Sequence, residues 1–209
     1  MTTAADYAYI KAFFKKHARI YDAVTLPFRG VGKKVTALVP PGPQVKVLDV
    51  ATGTGRQAFS LARRGNAVTG LDLSPDMLAV ARSKNHYPNV TLVEGDAAAL
   101  PFEDASFDVT HVSFALHDMP PAMRPRVLAE MRRVTRPGGS VIVVDYVLPA
   151  RGLRRWFGYR FIRSLDSRFY PSFAFIDLAA LTRQAGISVL GEKRAFFGMV
   201  TILRGTVQA

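Results

Sequence analysis

The stretch that decides the fold is VKVLDVATGTGRQAF, residues 45–59. Residues 45–50 have the apolar composition of a short buried strand, and residues 56–64 predict a helix. Between them lie Gly53 and Gly55, which allow the backbone to turn tightly and to approach a ligand closely. A glycine-rich turn between a strand and a helix is the context of a nucleotide-binding loop, although an ordinary strand-to-helix turn has the same pattern.

Strand and helix patterns alternate along the rest of the chain. The remaining strands are predicted, in chain order, at residues 67–71, 90–93, 107–112, 140–146, 187–192 and 197–204. Helices are predicted at residues 4–20, after the capping pair Ser74-Pro75, at 121–134 and at 175–185. Apolar strands that alternate with helices indicate a parallel sheet covered on both faces, so we expect a doubly wound α/β fold.

A single domain is predicted, because 209 residues with 49% hydrophobic content suit one core. The sequence PPGP at residues 40–43 is the clearest boundary within it. We expect four parts, namely an N-terminal helical cap (1–43), a core of alternating strands and helices that contains the glycine loop (44–147), a helical insertion (148–172), and a C-terminal helix with strands (173–209).

Acidic residues lie at three successive predicted strands. Asp72 ends the second strand, where it can accept hydrogen bonds from two ribose hydroxyls. Asp96 follows the third strand and can accept a hydrogen bond from an adenine amino group. Asp49 lies just before the glycine loop and favours a cationic ligand such as S-adenosylmethionine over a pyrophosphate, which would bind at the helix N-terminus. A nicotinamide cofactor is the alternative, with Ala58 as the third small residue of its loop.

These residues form part of a motif series in a fixed order between about residues 44 and 147. The series is VLDVATGTG at 47–55, GLDLS at 70–74 with Met77-Leu78, EGDA at 94–97, LPF at 100–102, SFD at 106–108 and RPGG at 136–139. It resembles the motifs of class I S-adenosylmethionine-dependent methyltransferases. The DVATGTG variant is most similar to the ubiquinone/menaquinone C-methyltransferase branch, which the Tyr21-Asp22 pair and residues 197–200 also resemble.

Two departures from that branch stand at the predicted site. Arg56 follows the glycine loop where the quinone enzymes usually carry an aspartate. Leu-His-Asp at residues 116–118 stands where they usually carry an Arg-Asn pair. Both departures weaken an assignment to quinone biosynthesis, and neither weakens an assignment to methyl transfer.

The resemblance implies a seven-stranded, mainly parallel sheet with an antiparallel C-terminal strand, and S-adenosylmethionine as the cofactor. It also implies a set of cofactor-binding residues that lie in or beside the motifs. These are Asp49, Ala51, Gly53 and Gly55 at the methionine end, Asp72 at the ribose, Leu73, Asp96 and Ala97 at the adenine, Ser113 near the sulfonium, and Tyr21 as a cover.

A histidine after the fourth predicted strand is the candidate catalytic residue. Methyl transfer depends mainly on positioning, but an oxygen or carbon acceptor must also lose a proton. Since a neutral imidazole accepts protons near neutral pH, we predict His117 as the base and Asp118 as the residue that orients it. A helix cap is the alternative for this pair. His111, inside a strand pattern, is expected to be a packed core residue, and no spacing predicts a metal site.

Charge and composition restrict the partners. Twenty-eight Lys and Arg against sixteen Asp and Glu give a net charge of +12, which indicates an anionic partner surface. Residues 150–170 lie in the insertion that the resemblance places on the acceptor side, and they combine arginines with aromatic side chains, which predicts contact with an anionic membrane. A helix packed on the core with a solvated basic rim is the alternative. The chain contains no cysteine and no apolar run long enough to cross a membrane, so we expect a cytoplasmic protein that binds membranes peripherally.

Several functions remain open at this stage. The first is methyl transfer to a small hydrophobic or amphiphilic acceptor that is quinol-like, phenolic or lipid. The second is methylation of nucleic acid, which the charge favours but which a missing Asn/Asp-Pro-Pro-Tyr/Phe-like element makes less probable. The third is a non-catalytic cofactor-binding module, against which the intact loop glycines, Asp72 and Asp96 argue.

Overall fold

A computed structural model describes residues 2–148, 159–160 and 168–208. Within these ranges the chain forms one seven-stranded sheet, with the strand order β3-β2-β1-β4-β5-β7-β6. In chain order the strands are β1 (Lys46–Val50), β2 (Ala67–Asp72), β3 (Val90–Glu94), β4 (Phe107–Ser113), β5 (Thr135–Tyr146), β6 (Ser188–Ala195) and β7 (Val200–Thr206). Strands β1 to β5 run parallel, and β7 is antiparallel to both of its neighbours. The predicted fold class is therefore confirmed.

Helices precede the sheet and connect its strands. In chain order they are α1 (Ala4–His17), α2 (Tyr21–Val24), α3 (Arg29–Leu38), α4 (Arg56–Ala62), α5 (Pro75–Lys84), α6 (Arg124–Val134), α7 (Tyr170–Phe173) and α8 (Leu178–Gln184). Single 3-10 turns lie at Leu26–Phe28, Leu116–Asp118 and Phe196–Gly198. None of the described helices is long and apolar enough to cross a membrane.

Side chains at the helix starts explain several of these boundaries. Thr3 and Asp6 form a reciprocal capping box at the start of α1. Ser74 caps α5 by accepting a hydrogen bond from the Met77 backbone N–H at 3.3 Å, as its sequence position predicted. The sheet divides the core into two clusters of buried side chains, one on each face, so that its strands are covered on both sides.

Three predicted helix boundaries were wrong by a few residues. The first helix ends at His17 rather than at residue 20, because the Ile20 N–H bonds to the His17 carbonyl oxygen in a tighter turn. The helix predicted from residue 121 begins at Arg124 with Pro125 in its first turn. The helix predicted from residue 175 begins at Leu178, where the preceding Asp177 accepts a bond from the Ala180 N–H.

The last two strands are also shifted relative to their predicted limits. Strand β6 extends to Ala195 rather than ending at residue 192. Strand β7 starts at Val200 rather than at residue 197, because Phe196 and Phe197 have φ angles of +46° and +55°, which no strand accommodates. Neither shift changes the order or direction of the strands.

Candidate active site

The glycine loop joins β1 to α4 at the carboxyl edge of the sheet. Gly53 and Gly55 have φ angles of +58° and +81°, which L side chains rarely adopt. A Cβ atom on Gly55 would lie 2.5 Å from the Phe59 ring, so this position accepts only glycine. A Cβ atom on Gly53 would meet nothing closer than the Tyr21 ring at 3.9 Å, which leaves open space above the loop.

Asp72 lies beside this loop, as its place at the end of β2 predicted. Its carboxylate accepts hydrogen bonds from the backbone N–H of Gly53 at 2.7 Å and of Ser74 at 2.8 Å. Burial raises the pKa of Asp72 to about 6, and the negative charge of Asp49 acts in the same direction. A buried carboxylate therefore faces the loop and titrates close to neutral pH.

A chain of hydrogen-bonded polar side chains lies beneath the loop and is here called the loop network. Its members are the buried Asp49 and His111 and the partly buried Ser113. Asp49 Oδ1 lies 2.7 Å from His111 Nδ1, and Ser113 Oγ lies 2.5 Å from His111 Nε2. The Thr52 hydroxyl donates to Asp49 Oδ2 at 2.6 Å. His111 is buried as predicted, but it also links two candidate cofactor residues across β1 and β4.

Asp96 marks the third strand end and connects it to the N-terminal helix. Its Oδ1 accepts the Ala98 N–H at 2.8 Å, and its Oδ2 accepts the Tyr7 hydroxyl at 2.5 Å. Burial, together with the hydrogen bond to Asp96, raises the pKa of Tyr7 to about 12. Helix α1 thus covers the edge of the sheet where Ala97 and Leu73 line a cavity.

Tyr21 and Asp22 bring the N-terminal residues onto the glycine loop. Burial raises the pKa of the Tyr21 hydroxyl, and the negative charge of Asp118 adds to this effect. The Asp22 carboxylate accepts the Thr54 hydroxyl at 2.5 Å and forms ion pairs with Lys84 and Arg56. Arg56, the first departure from the quinone enzymes, therefore binds the N-terminal part of the chain.

Two cavities meet at the loop. The first encloses about 630 Å³ of space that is partly open to solvent. Its lining is mostly apolar and includes Ile10, Phe14, Leu71, Leu73, Met77, Ala97, Ala115, Met119 and Met123, with Asp72 and Asp118 as its acidic members. The second, of about 1120 Å³ and more open, contains Asp49 and Ser113. Both cavities are lined by Tyr21, Ala51, Gly53 and Phe114.

The predicted catalytic pair lies at the wall of the first cavity, in a second polar chain here called the turn network. Its members are Asp145, His117 and Asp118, with exposed fractions of 0%, 2% and 7%. His117 Nδ1 lies 2.6 Å from Asp145 Oδ1, and His117 Nε2 lies 3.1 Å from Asp118 Oδ2. Asp118 lines the cavity, and His117 lies between it and Asp145, whose Oδ2 also accepts the His117 backbone N–H.

Arg124 supports the turn that carries this pair. Its buried guanidinium donates to the backbone carbonyls of Leu116 and Met119, each at 3.0 Å, and to residues Phe169 and Ser172. Burial lowers the pKa of Arg124 to about 10, while the carboxylates of Asp145 and Asp118 act to raise it. A positive charge therefore accompanies the two buried carboxylates.

The structure brings together most of the residues that the sequence singled out. Nine of them line one or both cavities, namely Tyr21, Asp49, Ala51, Gly53, Asp72, Leu73, Ala97, Ser113 and Asp118. Gly55, Asp96 and His117 lie behind this lining. Sequence reasoning missed the roles of Asp22, His111, Asp145 and Arg124. For Asp145 the available signal was an acid in an otherwise apolar strand, a position that requires a buried partner.

The basic segment at residues 150–170 mostly lies outside the described residues. Arg151, Arg154, Arg155, Trp156 and Arg163 belong to that part. Arg168 is described, and it pairs with Asp6 at 2.8 Å and lies over the Tyr9 ring at 4.2 Å. Within the ranges that the structure covers, no group of three His, Asp or Glu side chains is placed to hold a metal ion.

A doubly wound sheet with a glycine loop, and with acids at the ends of its first strands, defines a class I S-adenosylmethionine-dependent methyltransferase. A family model described as "Methyltransferase domain" matches residues 47–139. An uncharacterized methyltransferase of Synechocystis is 36% identical over 166 residues, covering 78% of this chain and 76% of the relative. The demethylmenaquinone methyltransferase of Bacillus licheniformis is 32% identical, covering 83% and 79%. The chain belongs to this methyltransferase family, so the predicted enzyme class and cofactor are confirmed.

Other matches are shorter or concern the fold alone. The demethylmenaquinone methyltransferase of Chlorobaculum tepidum is 41% identical, but the alignment covers 53% of this chain and 44% of the relative. An S-adenosylmethionine-dependent methyltransferase from Aquifex aeolicus has a TM-score of 0.65 at 19% identity, covering 84% and 89% of the two chains. The [4+2]-cyclase SpnF has a TM-score of 0.66 at 22% identity, covering 84% and 80%. The same fold therefore serves other chemistry, and function must be argued from the site.

The residues around the loop fit S-adenosylmethionine. The open space above Gly53 would allow a ligand to approach the backbone closely. A side chain on this residue would occupy part of that space. The buried carboxylate of Asp49 suits an ammonium group, and that of Asp72 suits hydroxyl donors. Because the cavities share the loop, a ligand that spans both contacts these acids together.

Proposed function

We propose that this chain transfers the methyl group of S-adenosylmethionine to a small hydrophobic or amphiphilic acceptor of the quinol type. The observation that carries the proposal is the first cavity, whose mostly apolar wall contains the carboxylate of Asp118. An apolar wall suits a ring or alkyl chain, and a carboxylate within that wall suits one hydroxyl group of the acceptor. The name of the demethylmenaquinone methyltransferases, to which the chain is similar, supports the same acceptor class.

The cofactor would be held along the loop. In this proposal Asp49, with Ala51, Gly53 and Gly55, holds the methionine end, and Asp72 binds the ribose. The remaining contacts are Leu73, Asp96 and Ala97 at the adenine, Ser113 near the sulfur, and Tyr21 as the cover. When bound, S-adenosylmethionine supplies a methyl group on a positively charged sulfur. The protein's task is then to position the acceptor and to exclude water.

Acceptor activation is assigned to the pair predicted from the sequence. Asp118 lies at the cavity wall, within reach of a bound hydroxyl, while His117 lies behind it. The acceptor's O–H bond breaks as its proton moves to a carboxylate oxygen of Asp118, and the electron pair stays on the acceptor oxygen. His117 was predicted as the base itself, and the geometry favours a supporting position for it.

The test is a comparison of acceptors with isotopically labelled S-adenosylmethionine. Short-chain quinols, simple phenols, phospholipid vesicles and RNA are incubated with the protein side by side. We expect label in the quinol, with lower incorporation into phenols. Label in RNA or phospholipid would overturn the acceptor class. A chain that binds S-adenosylhomocysteine but labels none of these acceptors would overturn the proposed activity.

We also propose that residues 150–170 contact an anionic membrane, where an amphiphilic acceptor would be dissolved. Arginines and aromatic side chains alternate there, which suits lipid headgroups and the acyl boundary. Sedimentation with anionic vesicles at low and high salt tests the contact. Equal binding after Arg154, Arg155 and Arg163 are changed to Glu would contradict it.

A further inference from the structure

The turn network places a histidine between two carboxylates. Asp145 Oδ1 lies 2.6 Å from one ring nitrogen of His117, and Asp118 Oδ2 lies 3.1 Å from the other. All three side chains are buried. Asp145 is contributed by β5, and the other two by the turn after β4, so the arrangement depends on the tertiary fold rather than on local sequence.

These two contacts constrain which ring nitrogens of His117 carry hydrogen when both carboxylates are ionised. An ionised carboxylate can only accept hydrogen bonds, whereas a neutral imidazole donates from one nitrogen and accepts at the other. A neutral ring would leave one carboxylate facing a bare nitrogen lone pair in a buried place. A doubly protonated ring donates a charge-assisted hydrogen bond from Nδ1 to Asp145, and it holds its second positively charged N–H within ion-pair distance of Asp118.

We infer that Asp145 and Asp118 together hold His117 as an imidazolium, that Asp118 rather than His117 takes the acceptor's proton, and that Asp145 is a positioning residue. The inference rests on the proposed function for the proton step, but the charge of the ring does not depend on it. The prediction from sequence assigned the opposite roles, with His117 as the base and Asp118 as the residue that orients it, and it did not single out Asp145.

The charges around the ring support this assignment. Two buried carboxylates require compensating positive charge, and Arg124 acts on both of them. A charged His117 supplies a second positive charge. Among the residues that the structure describes, the titratable side chains in contact with the ring or electrostatically coupled to it include Tyr21 on α2, Asp118 in the turn, Asp145 and Tyr146 on β5, and Tyr170 on α7. Arg124 on α6 is coupled to the two carboxylates.

A purely structural role is the competing explanation. Asp145 Oδ2 also accepts the His117 backbone N–H at 3.2 Å, so a loss of stability in a variant would not separate the two explanations. The experiment must therefore observe the ring itself. Nitrogen-15 NMR of the imidazole does so, because protonated and unprotonated ring nitrogens have well-separated chemical shifts.

The experiment uses the full chain with ¹⁵N-labelled histidine, saturated with S-adenosylhomocysteine, at pH 6 to 8.5. His117→Gln identifies the His117 signals. We expect both nitrogens of His117 to remain protonated at pH 8, well above the usual pKa of a histidine side chain. Asp145→Asn and Asp118→Asn should each produce a ring with one unprotonated nitrogen at the same pH. The matched control Asp104→Asn, at a largely exposed ion pair with Arg133, should leave the His117 signals unchanged.

Two results would overturn the inference. One is a neutral His117 in the unmodified chain at pH 8. The other is a ring whose protonation is unaffected by both substitutions. Turnover provides a separate measurement, since Asp145→Asn should shift the pH profile of kcat and leave the affinity for S-adenosylhomocysteine unchanged. A failure to methylate any quinol would overturn the proposed function, but it would leave the NMR result standing.

Discussion

The loop network and the turn network are two versions of the same arrangement. In each, a buried histidine bonds through Nδ1 to an aspartate of a neighbouring strand, at 2.7 Å for His111 and 2.6 Å for His117. They differ at Nε2, which meets the Ser113 hydroxyl in one and the Asp118 carboxylate in the other. A hydroxyl can either donate or accept a hydrogen bond, whereas an ionised carboxylate can only accept one and favours a charged ring beside it. The group that lies against Nε2, a hydroxyl in one network and a carboxylate in the other, therefore distinguishes the proposed cofactor-binding site from the proposed proton-accepting site.

The largest effect is expected from Asp118→Asn in the turn network. The amide cannot take the acceptor's proton, so turnover should fall on the order of 10²-fold or more. The affinity for S-adenosylhomocysteine should not change, because the loop network is intact. Turnover with the best quinol and calorimetric titration measure the two quantities. Full activity in the folded variant would remove Asp118 from the reaction.

The next largest effect is expected from Asp49→Asn in the loop network. Loss of a charged acceptor for the cofactor's ammonium group should weaken S-adenosylhomocysteine binding by about 1–3 kcal/mol. Binding of 5′-methylthioadenosine, which lacks the amino-acid end, should be unchanged and serves as the control. If the substitution reduced the affinities for both ligands equally, Asp49 would act by supporting the loop rather than by contacting the ligand.

A smaller, pH-dependent effect is expected at Asp72, which adjoins the loop network. The pKa of Asp72 is raised to about 6 from 3.8, so the folded chain holds this proton more tightly than the unfolded chain. Its contribution to folding stability is present below pH 3.8 and is lost as the pH rises through about 6. We expect ligand affinity to follow the opposite trend, because in the proposed site the ionised carboxylate accepts hydrogen bonds from both ribose hydroxyls.

Titration of S-adenosylhomocysteine from pH 5 to 7 checks this prediction. Affinity should increase on the order of tenfold as the carboxyl ionises. In Asp72→Asn the affinity should be weaker and independent of pH in this range. If the affinity of the Asp72→Asn variant still rose with pH as steeply as that of the unmodified chain, the pH dependence would belong to another group.

The smallest effect is expected from Ser113→Ala, which removes the hydroxyl that distinguishes the loop network. His111 keeps its bond to Asp49, so S-adenosylhomocysteine binding should weaken by about 1 kcal/mol or less. Isothermal titration beside the Asp49→Asn variant gives the comparison. A loss as large as that of Asp49→Asn would mean that the hydroxyl itself binds the ligand strongly.

Local chemistry explains what could be predicted from the sequence. The glycine loop, the Ser74 cap and the acid at the end of β2 each depend on neighbouring residues, and each was placed correctly. The two networks depend on contacts between residues far apart, since His111 and Asp49 are separated by 62 positions and His117 and Asp145 by 28. The sequence shows such residues separately, and only the register of the parallel strands brings them together.

Helix α1 has a consequence for the motions of the molecule. It covers the side of the first cavity that is proposed to hold the adenine. Ile10 is nevertheless the only residue of this helix that is buried. Its polar contacts include the half-exposed ion pair of Lys11 and Glu94. Such exposed pairs contribute about 0–1 kcal/mol each. The central strands β1 and β4 are mostly buried and pair with a neighbour on both edges, so we expect α1 to detach at a lower free energy than these strands unfold. Amide hydrogens of α1 should therefore exchange with solvent fastest when the ligand is absent, and ligand binding should slow this exchange far more than that of β1 or β4.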